Sequence, residues 1–185
     1  MDVDKQRLIT LLRELSYSKR KVILASGRES DFYVDGKQTT LHAEGAAIIG
    51  RLVLEIIREG SFEGVGGLSM GADPISTAAS IASTTDGGPL VHAFYVRKEA
   101  KGHGTEAYIE GLRNFTPGTR VVIVEDTSTT GGSAYKAVER ARAGGFEVPM
   151  VITIVDREEG AREFLEAKGL EVRALVTRTE LVGEA

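Results

Sequence analysis

The sequence predicts an α/β protein: a parallel sheet flanked by helices on both faces, preceded by an N-terminal helix and hairpin that cover one rim. Three observations carry that expectation. From residue 43 onward, helical and strand-like segments mostly alternate, as strand–helix–strand units with right-handed crossovers do. The strand segments include continuous β-branched runs such as "VVIV" at 121–124, which suit strands buried on both faces. That run ends in two acids, Glu125 and Asp126, and open α/β sheets take their ligands at the carboxyl ends of strands.

The elements follow in chain order. Residues 4–15 form an amphipathic helix with Leu8, Leu11, Leu12 and Leu15 on one face. "VILASG" and "SDFYVDG" read as two short strands around "GRES", a hairpin. "AEGAAIIGRLVLEIIREG" is a long helix ended by Gly60. "VGGLS" is a short strand, and "GADPISTAASIAST" turns into a helix with Pro74 near its first turn. "LVHAFYVRK" is a strand, "EAKGHGTEAY" a polar loop, and 108–111 a short strand. After the 121–134 stretch come a helix in "SAYKAVERARAGG", a strand in "VPMVITIVD", a helix in "AREFLEAKG" and a strand in "EVRALVT".

At 185 residues the chain is expected to be one domain, 1–185, large enough for a substantial core. The 42% hydrophobic and 27% charged composition is that of a globular protein. A net charge of −4 and a pI near 5.5 do not favour nucleic acid or an anionic membrane as partner. The absence of cysteine excludes disulfides, thiolate catalysis and sulfur-ligated zinc. No apolar run nears the ~20 residues of a membrane span, and the charged N-terminus lacks the apolar stretch of a signal peptide. The expected location is cytoplasmic.

The most informative stretch is "VVIVEDTSTTGGSA". After the acids come Thr127, Ser128, Thr129 and Thr130, then Gly131, Gly132 and Ser133, then a helix. Backbone N–H groups in a Gly-containing loop converge on an anion, and the helix N-terminus adds unpaired donors and a favourable dipole. No lysine follows the glycines, so this is not the Walker pattern, and their spacing is not "GxGxxG" either. Acids repel a polyphosphate lying over them but accept hydrogen bonds from hydroxyls. A ribose 5-phosphate satisfies both ends. An acidic strand end before a Ser-capped helix is the plainer alternative.

The stretch closely resembles the 5-phosphoribosyl diphosphate (PRPP) motif of the type I phosphoribosyltransferases: apolar strand, two acids, hydroxyl- and Gly-rich phosphate loop. A second segment, "RKEAKGHG", places Arg97, Lys98, Lys101 and His103 within seven residues among Gly102 and Gly104. Taken alone it suits either a solvated basic hairpin or a lid over a diphosphate. It resembles the mobile catalytic loop of the orotate phosphoribosyltransferase family, and "LASGRESDFYVDGK" resembles that family's hood. The resemblance spans most of the chain. It departs at Ala25, where certain members have a lysine, and at Met70-Gly71-Ala72, where those members carry "YKG"; Lys21 lies too far upstream to replace either.

The resemblance implies the type I phosphoribosyltransferase fold with a small N-terminal hood at about 1–40 and a mobile loop at about 97–108, and transfer of the 5-phosphoribosyl group from PRPP to orotate. It implies Mg²⁺ carried mainly by PRPP, with no metal site of the protein's own. Glu125 and Asp126 hold the ribose hydroxyls, and residues 127–133 hold the 5-phosphate. Arg97, Lys98, Lys101 and His103 meet the diphosphate; Lys101, His103 and Asp126 are the catalytic candidates. Arg157, in "IVDREEG", and Thr129 are implied to bind orotate, unless Arg157 simply pairs with Glu158 or Glu159. Phe32 and Tyr33 lie near the pyrimidine by the same resemblance, although an aromatic pair in a hairpin equally suits packing. Gly71 offers backbone N–H groups to diphosphate. The family further implies a homodimer with shared active sites, Arg97 acting across the interface. The rival readings are a purine-base phosphoribosyltransferase and, more remotely, a PRPP-sensing regulator on the same fold. The latter should add a DNA-binding helical domain, and one short helix alone precedes the hairpin.

Overall fold

A computed structural model describes residues 2–19, 22–23, 29–30, 32–100 and 108–183. Lys101, His103, Ala25 and Lys21, and with them most of the expected loop, lie outside those residues.

The hood begins with α1 (Asp2–Leu11), which continues into a π-helical turn at Leu12–Ser16. Leu8, Leu11 and Leu12 are buried, as the periodicity predicts, whereas Leu15 is 40% exposed. The wider winding of a π turn rotates Leu15 off the apolar stripe. Two small antiparallel ladders follow. β1 (Tyr17–Ser18) pairs with β4 (Tyr33–Val34), and β2 (Val22–Ile23) pairs with β3 (Glu29–Ser30). The hairpin is therefore present, but its second strand starts inside "GRES". A four-residue helix, α2 (Lys37–Thr40), then leads into α3 (Ala43–Glu59).

The body alternates as expected: β5 (Gly64–Leu68), α4 (Asp73–Ala82), β6 (His92–Val96), β7 (Ile109–Glu110) and β8 (Arg120–Ser128). After β8 come α5 (Gly132–Ala143), β9 (Glu147–Asp156), α6 (Ala161–Glu166), β10 (Glu171–Thr177) and α7 (Arg178–Val182). The sheet order is β10-β9-β8-β5-β6-β7, parallel except for β7 at the edge. Val121 and Ile123 of β8 pack with α5 and α6, while Val122 and Val124 pack with α1, α3 and α4. All four are essentially inaccessible, and burying a side chain of this kind contributes roughly 1.5–3 kcal/mol. That two-sided burial is why the run is apolar without alternation. Among the described residues no helix is long and apolar enough to cross a membrane.

Candidate active site

Chain direction across the sheet reverses between β5 and β8. From β5 the chain moves outward to β6, whereas from β8 it moves the opposite way to β9 and β10. The helices that leave these two strands pack on opposite faces: Ile75 and Ala79 of α4 in one core, Ala134, Ala137, Val138 and Ala141 of α5 in the other. A crevice must open where the two connections part. A cavity of about 220 Å³ lies there, walled by residues 68–72 after β5, by Val124, Glu125 and Asp126, by Ser133 and Ala134 of α5, and by Lys37 and Lys98. The Ser69–Met70 peptide in this wall is cis. β8 pairs with β5 through Ile123 and with β9 through Ser128. The acids thus extend beyond β5 and have cavity on that side.

Gly131 starts α5 with φ +79°, a conformation that costs glycine nothing. A Cβ there would also lie 3.0–3.1 Å from Phe164, Leu165 and the Ala161 carbonyl. No side chain caps this helix end, which leaves first-turn N–H groups to an anion. Thr130, Gly132 and Ser133 are exposed and Thr129 half-buried around it. Two residues of the stretch are less open: Ser128 is buried, and the Thr127 hydroxyl is buried without a hydrogen-bond partner among the described residues.

Burial pushes the Glu125 carboxyl up to about 8, helped by the neighbouring Asp126 charge. Burial also raises Asp126, opposed by the Lys37 charge and by the Thr127 N–H, which donates to Asp126 Oδ1 at 3.0 Å. Two partly buried carboxylates suit hydroxyl donors, and they suit a hard cation that brings further oxygens and water with it. They are too few to cage magnesium alone.

Arg157 and Thr129 stand at neighbouring strand ends. Ser128 lies opposite Asp156, and the Arg157 N–H donates to the Ser128 carbonyl at 3.1 Å. The Arg157 side chain is buried; its Nη2 lies 2.8 Å from Glu159 and donates to the Phe32 carbonyl at 3.2 Å. Glu159 therefore occupies the fork, the pairing the sequence left open. Phe32 is 2% exposed and packs in the hood core under the guanidinia of Arg157 and Arg178; Tyr33 is half-buried. Gly71 is in the cavity wall.

Arg97 Nη1 pairs with Glu110 at 3.0 Å, and Lys98 lines the cavity. Sequence reasoning overlooked what holds them. Arg140 of α5 donates to the carbonyls of Arg97 and Lys98 and lies 4.1 Å over the Tyr108 ring. It grips both sides of the segment between residues 98 and 108. Lys37 was overlooked too, since nothing in "VDGK" signals a partner at Asp126.

No family model matches the chain. The orotate phosphoribosyltransferase of Synechocystis sp. is 50% identical to it over 173 residues, 94% of this chain and 86% of the relative. That of Sorangium cellulosum is 47% identical over 182 residues, 97% of this chain and 93% of the relative. Among solved structures, Mycobacterium tuberculosis orotate phosphoribosyltransferase in complex with PRPP matches with a TM-score of 0.80 at 42% identity, covering 97% of this chain and 99% of that one. With the acids, the uncapped helix and the crevice at the reversal of strand order, this likeness over nearly the full length places the chain in the orotate phosphoribosyltransferase family.

Proposed function

We infer that the protein transfers the 5-phosphoribosyl group of PRPP to orotate, a step of pyrimidine nucleotide synthesis. The bond from ribose C1 to diphosphate breaks, a bond from C1 to the orotate ring nitrogen forms, and orotidine 5′-monophosphate and diphosphate leave. The observation that carries this reading is the pairing, in one crevice, of an acidic strand end with an uncapped helix N-terminus. Few ligands other than a ribose 5-phosphate ask for hydroxyl acceptors and anion donors at that spacing.

Glu125 and Asp126 accept from the ribose hydroxyls, and the 127–133 loop with the first turn of α5 holds the 5-phosphate. Magnesium arriving with PRPP fits the two carboxylates and supplies charge neutralisation. Departure of diphosphate leaves positive charge on the sugar ring and adds negative charge to the leaving group, so catalysis is chiefly electrostatic. Lys101, with His103, Arg97 and Lys98, stabilises the leaving diphosphate, and Asp126 faces the cationic ring. Arg157 exchanges Glu159 for the orotate carboxylate, with Thr129 beside it. The working form is a cytoplasmic homodimer with shared sites, Arg97 acting across the interface.

The test is direct. Protein mixed with magnesium, PRPP and orotate should deplete the orotate absorbance. Product from adenine or hypoxanthine with none from orotate would instead select the purine-base reading, which gives Arg157 no carboxylate to bind.

A further inference from the structure

We propose that Lys37 is a ligand-binding residue of the crevice, the cation that faces the diphosphate of PRPP from the hood side. The proposal rests on the PRPP reading above.

Lys37 and Lys98 are the cationic side chains among the described residues lining the cavity. Lys37 begins α2, and its Nζ lies 2.7 Å from Asp35 Oδ1 and 3.9 Å from Asp126 Oδ2. The side chain remains 44% exposed, so the ammonium keeps donors for a further acceptor. The hydrogen bond to Asp35 raises its pKa and keeps it charged.

Close backbone approach fixes this placement. A Cβ on Gly36 would lie 2.9 Å from Thr127 Oγ1 and 3.1 Å from the Asp126 Cβ. The segment carrying Lys37 therefore rests directly on the acidic strand end. On the opposite wall a Cβ on Gly71 would lie 2.6 Å from Asp126 Oδ1. Backbone fills that side, and a side-chain cation can reach the Asp126 neighbourhood from residue 37.

The chemistry requires such a cation. In PRPP the diphosphate is bonded to C1, next to the 2-hydroxyl that the acids hold. Its negative charge is thus brought beside Asp126, and in a partly buried crevice that repulsion is poorly screened. An ammonium between carboxylate and diphosphate offsets it and donates to phosphate oxygens.

The experiment measures binding of magnesium diphosphate by calorimetry, with Michaelis constants for both substrates, in the full-length protein. Lys37→Gln should weaken diphosphate binding by ~10-fold or more, the scale of one charge-assisted hydrogen bond. It should raise the PRPP constant similarly, leave the orotate constant within about twofold, and be rescued by Lys37→Arg. Asp35→Asn keeps a side-chain oxygen to accept from the Lys37 N–H but removes the ion pair. It should bind diphosphate as well as or better than wild type. If Lys37 served only as the partner of Asp35, the two variants would behave alike, and that result overturns the proposal. So does wild-type diphosphate affinity in Lys37→Gln while wild type consumes orotate, a result that spares the functional reading. Wild-type protein that binds neither PRPP nor diphosphate sinks both.

Discussion

Glu125 sits where β8 runs past the end of its pairing with β5, and its raised pKa ties the stability of the ligand-free protein to pH. The folded state keeps a proton up to about pH 8 that an ordinary carboxyl loses near 4.5. Its contribution is therefore fully present below about pH 4.5 and is lost as pH rises through about 8, with a size on the order of a few kcal/mol. Glu125→Gln removes the titration. Thermal unfolding followed from pH 6 to 9 without ligand should show wild type losing stability as pH rises and the variant losing clearly less. Parallel curves would mean that the carboxyl is solvated and ordinary. Arg157 poses a different question, because its fork is already filled by Glu159. If that pair is a placeholder for the orotate carboxylate, Arg157→Lys should raise the Michaelis constant for orotate ~10-fold or more and that for PRPP little, since an ammonium keeps the charge but not the bidentate geometry. An equal rise for both substrates would identify a structural ion pair within the strand end, tied to the hood through the Phe32 carbonyl.

Elements with a strong period or a long apolar run were legible in the sequence: α3 and α4, β5, β8, β9 and β10 fall where the pattern puts them. The shortest were not. Strands of two residues, such as β2 and β3, have no period to detect, and the π turn at Leu12–Ser16 breaks the helical one. α7 did announce itself, through the "TRTE" spacing that becomes the Thr177–Glu180 capping box, and was overlooked. The site divides the same way. Residues 125–133 are contiguous, so their chemistry can be read along the chain, whereas Lys37 and Arg140 reach their partners only through the fold. Arg140 looks in sequence like one more charge on a solvated helix. Its bonds to the Arg97 and Lys98 carbonyls and its place over Tyr108 make it the brace of the basic segment. Arg140→Ala should lower turnover at saturating substrates about tenfold or more, because ångström-scale misplacement of a catalytic group costs up to ~10²-fold. The same variant should lose only about 1–3 kcal/mol in stability, and wild-type turnover in a folded variant would remove the brace from the mechanism.

At the scale of the whole molecule, the reversal of strand order between β5 and β8 gathers chemistry from distant parts of the chain into one crevice. α4 and α5 leave on opposite faces, the hood reaches the same opening through Lys37, and its Phe32 carbonyl accepts from Arg157 at the end of β9. The proposed homodimer adds one more source, since the basic segment of one subunit would serve the crevice of the other. Two damaged chains test that arrangement. Lys101→Ala removes a cation from the segment, and Arg157→Ala removes the proposed orotate contact beside the crevice. Loss of one charge-stabilising donor costs ~10²-fold in turnover, and loss of a substrate contact raises the Michaelis constant, so at orotate well below that constant each variant alone should be nearly inactive. Under random pairing, half of the dimers are mixed, and each mixed dimer joins one intact segment to one intact crevice. Co-expressed and purified as dimers, the pair should recover about one quarter of wild-type activity. A segment serving its own subunit leaves every site damaged, and activity no greater than the average of the two parents would assign it that way.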